Sequence, residues 1–129
     1  MIVNIQHINS DDYPTPQEFF KILDDEFHFN DDPCPLRGDL FQDGLSREWG
    51  SNVFMNPPYS NPLPWCMRAY HESQNGKTIV GLLRGDTSTE WFHKWVLPYA
   101  EIRFIRGRLK FKNEERAPFA NILVIWRPC

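Results

Sequence analysis

Two adjacent prolines stand directly behind an apolar run in NVFMNPPYSNP, residues 52–62. Proline lacks a backbone N–H and has a fixed φ, and it pushes the residue before it into extended backbone. Val53, Phe54 and Met55 therefore read as a short buried strand that stops at Asn56, with a stiff loop beyond it. Asn56 and Pro57 are held extended, so their carbonyls cannot fold back into a helical turn. The Asn56 side-chain oxygen and the Pro57 main-chain oxygen can then face one small group that carries two hydrogens. An exocyclic amino group on a base or an amide fits that description. Its nitrogen is a poor nucleophile, because its lone pair is delocalised. Accepting both N–H bonds favours a more tetrahedral nitrogen and stabilises charge as it develops. Tyr59 adds a flat face on which an extruded base can stack.

The rest of the chain alternates between helical and strand patterns. TPQEFFKILDDEF opens with Thr15 as the expected N-cap, Pro16 at the first helical position and Glu18 completing a capping box. Phe19, Phe20, Leu23 and Phe27 follow at helical spacing. FHFND (27–31) reads as a short strand that ends in the turn-rich DDPCPLRGD. In NPLPWCMRAYHES, Leu63, Met67 and Tyr70 recur at helical spacing, and KTIVGLL (77–83) is an apolar strand. TSTEWFHKWVL repeats the capping-box pattern with Thr87 and Glu90, and its Trp91, Phe92 and Trp95 read as core. AEIRFI and NILVIW are the last strands, with the basic RGRLKFKNEERAP between them as an exposed hairpin or loop. Such alternation predicts an α/β sheet with helices packed against it.

A chain of 129 residues, 41% hydrophobic and 15% aromatic, has room for one core, so residues 1–129 are expected to form a single domain. No apolar run reaches 18 residues, and MIVNIQHINSDDY lacks the pattern of a signal peptide; a cytoplasmic protein that does not enter membranes is expected. Cys34, Cys66 and Cys129, with His7, His28, His71 and His93, show no zinc-type spacing, and no metal is expected. The net charge of −3 hides an asymmetry: residues 1–75 carry 4 Lys/Arg against 12 Asp/Glu, and residues 76–129 carry 10 against 5. One phosphate-attracting face and an ordinary mixed surface both fit that division.

In open α/β sheets, ligands bind beyond the carboxyl ends of the strands. NDDPC and NPPY both fall at such ends and are candidates for one site. A match to a four-residue string such as NPPY arises by chance in a chain of this length on the order of once in a thousand. The string is specific to amino-group methyl transfer in general, on adenine, cytosine or glutamine amide.

Four segments, TPQEFF…LDDEFHFNDDPC, DGLSREWGSNVFMNPPYS, LLRGDTSTEWFHKWV and AEIRFIRGRLKFKNEERAPFANILVIW, together resemble the phage-type DNA N6-adenine methyltransferases, the Dam family. The resemblance implies an abbreviated Rossmann-like class I methyltransferase fold, S-adenosylmethionine as methyl donor and DNA adenine as acceptor. It also implies that Asn56, Pro57, Pro58 and Tyr59 form the catalytic motif, with Asn56 also next to the cofactor. Asp31, Asp32 and Pro33 match the acidic strand end that approaches the cofactor's methionine part, where a carboxylate can pair with the ammonium. Thr15 and Pro16 match the segment packed near that end, and Asp43 resembles the acceptor for the cofactor's adenine amino group.

Departures from the family pattern are also legible. NDDPCPLRGDL contains only Gly38 where a glycine-rich loop is usual, and Asp43 lies ten positions after Pro33, too close for a helix and a second strand. No separate target-recognition domain is present, which leaves sequence choice to short loops or a partner, with a homodimer as a candidate assembly. Arg84 stands where many relatives have a proline-containing turn, as a local substitution or a phosphate contact. Arg106, Arg108, Lys110 and Lys112 alternate with Leu109 and Phe111 at the strand period. With the resemblance, this is the expected DNA-binding face, with Phe111 near the flipped base; alone, it reads rather as a solvated edge strand. The expected function is methyl transfer to adenine N6 in DNA. The alternative is an inactive methyltransferase fold that binds nucleic acid or a partner, and RNA or a protein amide remains a different acceptor for the same chemistry.

Overall fold

The computed structural model describes residues 14–34, 41–110 and 117–128, with 41–43 described as helical backbone only. Helix α1 (Gln17–Phe27) and the short α2 (Phe41–Ser46) precede strand β1 (Asn52–Met55), helix α3 (Leu63–Gln74) and strand β2 (Thr78–Arg84). A π-helix (Phe92–Val96), strand β3 (Glu101–Phe104) and strand β4 (Asn121–Trp126) complete the order.

The strands form one sheet in the order β1-β2-β4-β3. β1 and β2 are parallel, with Asn52 opposite Thr78 and Met55 opposite Gly81, whereas β4 is antiparallel to both β2 and β3. Strands β1, β2 and β3 therefore share one direction and end at one edge, where β4 begins. FHFND contributes a single parallel bridge, Asp31 with Val53, rather than a strand of its own. Phe54 N–H donates to the Asp31 carbonyl at 3.0 Å and Asn30 N–H to the Asn52 carbonyl at 2.8 Å.

Side chains alternate across a strand, so each apolar strand here feeds two cores. Val53, Met55, Ile79, Leu83, Ile122, Val124 and Trp126 face one side and pack with Trp65, Cys66 and Ala69 of α3 and with Trp91, Phe92 and Val96. Phe54, Val80, Leu82, Leu123 and Ile125 face the other side and meet Leu23 and Phe27 of α1, with Phe19 and Phe20 partly buried beside them. Helices on both faces of a mixed sheet satisfy the α/β expectation.

Three local expectations are corrected. Pro16, not Thr15, occupies the N-cap of α1, and no side chain caps that end. Phe20 N–H closes the first turn on the Pro16 carbonyl at 3.0 Å, while the Thr15 hydroxyl is engaged by Asn56. Helix α3 forms as expected, but Leu63 and Met67 lie on its exposed side; Trp65, with the largest apolar area, takes the inward position and rotates the buried stripe to Trp65, Cys66 and Ala69. The Thr87–Glu90 capping box does not form. The Thr87 carbonyl instead receives His93 Nε2–H at 2.7 Å, and Leu97 N–H bonds the Phe92 carbonyl at 2.8 Å in an i to i+5 turn that carries Phe92 and Val96 into the core.

Helix α2 backs against the turn that follows Asp32. A methyl group on Gly44 would strike the Pro33 carbonyl oxygen and come within 2.9 Å of the Trp65 ring, and Trp49 Nε1–H donates to the Gly44 carbonyl at 2.7 Å. Only glycine allows this approach. Gly44→Ala is expected to lower stability by about 1–3 kcal/mol through overpacking, read as a reduced midpoint in urea unfolding with an unchanged slope.

Candidate active site

Strand direction gathers the site. The Asp31–Pro33 turn leaves the sheet beside Asn56, because Asp31 pairs in parallel with Val53. Arg84 ends β2 opposite Asn121, which begins β4, and Phe104 ends β3 opposite Ile122. Four connections thus meet at one edge, the one between β3 and β4 at both its ends.

Asn56 is half-buried, and its Nδ2 donates to Thr15 Oγ1 at 3.1 Å. In this arrangement the Nδ2 end of the amide faces Thr15 and the acceptor oxygen points the other way. Pro57 is buried and Pro58 half-buried, so the stiff loop is also packed. The Asn56 backbone N–H approaches the Cys34 thiol, which burial first and Asp32 second push well above its ordinary pKa; Cys34 is an inert floor rather than a nucleophile. Tyr59 is 7% exposed. Its ring meets Phe119 edge-to-face at 4.9 Å, and its hydroxyl accepts Asn121 Nδ2–H at 3.2 Å. Stacking a base on Tyr59 thus requires one ring face to be uncovered.

The neighbouring acids have different surroundings. Asp31 takes a bidentate ion pair from Arg47 at 2.8 and 2.9 Å and the Gly50 N–H at 2.8 Å. The Arg47 hydrogen bonds hold its carboxyl below the usual range, with burial opposing and the Gly50 N–H assisting. Asp32 is reached by solvent, yet enough protein surrounds it that lost hydration is the largest influence and raises its pKa. The Cys34 N–H, bound at 2.9 Å, opposes that rise, and the Asp31 charge adds to it. The Asp32 side chain is exposed, whereas Asp31 is held by Arg47 and Gly50. Asp32, not Asp31, therefore offers a carboxylate to the edge.

Comparison with known proteins settles the family. A family profile described as DNA N-6-adenine-methyltransferase (Dam) matches residues 3–129. The chain belongs to the Dam family. A relative from Haemophilus phage HP1 (strain HP1c1), named DNA N-6-adenine-methyltransferase, is 35% identical over 125 residues, spanning 87% of this chain and 72% of the relative. A protein of the same name from Escherichia phage T1 is 39% identical over 67 residues, 50% of this chain and 28% of its own length. No solved structure matches significantly.

The remaining residues expected from Dam-family likeness divide into four groups. Pro16 and Pro33 pack as framework, half-buried and buried. Arg84 lies with its guanidinium 4.6 Å from the Phe119 ring and its Nε 3.1 Å from Asp86 Oδ2, an ion pair whose N–H is not directed along the line of a hydrogen bond. Arg106, Arg108 and Lys110 are exposed on the chain leaving β3 at the site edge, and Gly107, at φ +72°, makes the bend there. The expected strand period is absent from 105–109, although Leu109 still turns toward the core. The side chain of Asp43, and Phe111 and Lys112 entirely, lie outside the described residues. Sequence reasoning missed Arg47, Phe119 and Asn121; the one available signal was a polar residue opening the apolar run NILVIW. Among the described residues no group of three His, Cys, Asp or Glu side chains could hold a metal, and no helix is long and apolar enough to cross a membrane.

Asp31 has a depressed pKa, so its ion pair contributes stability above the unfolded carboxylate value of about 3.9 and loses it as pH falls through the lower folded value. Asp31→Asn is expected to cost about 1–2 kcal/mol at pH 7, a low figure because Arg47 is 41% exposed and screened. The deficit should shrink as pH falls below the unfolded carboxylate value of about 3.9 and through the lower folded value, followed by urea unfolding over a series of acidic pH values.

Proposed function

We propose that this chain transfers a methyl group from S-adenosylmethionine to the N6 amino group of adenine in DNA, with the base extruded against Asn56–Tyr59. One observation carries the reading: the Asn56 amide, oriented by Thr15 at 3.1 Å, stands at the same sheet edge as the solvent-reached Asp32 in a Dam-family chain. The mixed sheet, with antiparallel β4 inserted between the parallel β2 and β3 and an additional bridge at Asp31, supports an abbreviated Rossmann-like class I fold.

The donor set fits the cofactor's methionine part. Asp32 is an exposed carboxylate that can attract an ammonium, and Thr15 and Asn56 are hydrogen-bonded to each other at the same sheet edge. When bound, S-adenosylmethionine supplies an electrophilic methyl group on a sulfonium. Asn56 Oδ1 and the Pro57 carbonyl accept the two hydrogens of the adenine amine, which concentrates the nitrogen lone pair and stabilises its developing positive charge. Tyr59 holds the base plane once a ring face is uncovered, and orientation provides much of the acceleration. The transferred proton leaves to solvent, so no general base is required. Arg106, Arg108 and Lys110, exposed at this edge, attract the DNA backbone in a salt-dependent manner.

The burial of Tyr59 at 7% favours one second reading, a nucleic-acid-binding module without transfer activity. Incubation with labelled S-adenosylmethionine and unmethylated DNA, RNA or protein separates the two. Label in DNA N6-methyladenine, reduced about 10²–10³-fold in Asn56→Ala with DNA binding intact, supports transfer. DNA binding without label or cofactor binding supports the module.

Asp32 gives an independent check. Its raised pKa means that the carboxylate, and with it the attraction for an ammonium, is lost at a higher pH than for an ordinary aspartate. Calorimetric affinity for S-adenosylmethionine should fall as pH drops through that range in the native protein. Asp32→Asn should bind about tenfold more weakly at pH 7 and lack that pH dependence.

A further inference from the structure

Asn121 opens a strand in which all six residues are buried, and it is itself 1% exposed. Its Nδ2 donates one hydrogen to the Leu83 carbonyl and the other to the Tyr59 hydroxyl, each at 3.2 Å. The Leu83 carbonyl can only accept, so it dictates which way the amide faces; a flipped amide would set two acceptors against each other. The Tyr59 oxygen consequently accepts, and its own proton points away from Asn121. The Asn121 Oδ1, by contrast, is buried with no hydrogen-bond partner among the described residues. An apolar residue would fill this place at the head of the strand without stranding an acceptor. Beyond its bond to the neighbouring strand at Leu83, the amide adds a bond to a residue 62 positions away in the loop that follows β1.

Resting on the methyl-transfer reading above, we propose that Asn121 is a positioning residue: it locates the Tyr59 ring through its hydroxyl and thereby sets where the target base lies relative to Asn56. Phe119 meets the body of the ring at 4.9 Å, and Asn121 holds its hydroxyl end. Loss of the Asn121 bond removes an anchor from the hydroxyl end while the Phe119 contact to the body remains. The acceptors on Asn56 and Pro57 stay in place, as does the Asp31–Pro33 turn, so cofactor binding is untouched while the base is misaligned. The Arg84 guanidinium, on the Asn121 cross-strand partner, covers Phe119 and keeps that first contact in place.

The test is a double-mutant cycle on methyl transfer to unmethylated plasmid DNA, using Asn121→Ala, Tyr59→Phe and the double variant, with calorimetric S-adenosylmethionine affinity and thermal unfolding measured alongside. Each single variant should lower kcat about tenfold with unchanged KM for S-adenosylmethionine, the effect of one lost hydrogen bond. The double variant should be no slower than the singles, because both delete the same contact. Effects that multiply, or a cofactor KM that rises in step with the loss of kcat, would assign Asn121 a merely structural role and overturn the proposal. Should Asn121→Ala not fold, Tyr59→Phe decides alone: a rate within about twofold of the native protein overturns the proposal, and a tenfold loss at unchanged cofactor affinity supports it. A native protein that labels no DNA would instead refute the methyl-transfer reading itself, and the two failures are thus distinct.

Discussion

The parallel bridge between Asp31 and Val53, closed by Phe54 N–H on the Asp31 carbonyl at 3.0 Å, is the contact on which the site geometry depends. It makes two loops end side by side. Without it the acidic turn and the Asn-Pro-Pro-Tyr loop would be separate surface features. With it, the residues after Asp31 and after Met55 leave the sheet in the same direction. The antiparallel entry of β4 then brings Asn121 to that same edge.

Neighbouring acids illustrate how environment divides labour. Asp31 belongs to the framework, because Arg47 and Gly50 satisfy its carboxylate with three hydrogen bonds at 2.8–2.9 Å. Among the described residues the Asp32 carboxylate has one bond, from the Cys34 N–H, and it is otherwise exposed. The strand pairing fixes the first acid, and the turn presents the second. The same division recurs further along the edge, where Pro57 and Pro33 are buried support and Asn56 remains half-buried.

Local sequence rules fail mainly near this edge. Thr15 has the pattern of a helix cap and instead bonds Asn56; Pro16 takes the N-cap, and the helix start is left with no side-chain cap. A cap is worth about 1 kcal/mol, a modest loss beside the orientation of an amide at the centre of a site. Asn121 is a second such case, a polar group inside an otherwise apolar strand. Away from the edge the departures have simpler causes, as in α3, where the area of Trp65 sets the inward face.

The sequence by itself determined the order of the longer helices and of the four strands, though not the short α2 or the reduction of FHFND to one bridge, together with the stiffness of the loop at Asn56–Tyr59 and the family, because periodicity, proline geometry and motif spacing are local properties of the chain. Only the tertiary structure decided which acid faces the edge, which hydroxyl orients Asn56 and which amide holds Tyr59. Those contacts join residues 41 and 62 positions apart, Thr15 with Asn56 and Tyr59 with Asn121. Sheet pairing creates such neighbours, and no short-range pattern of residue types encodes them.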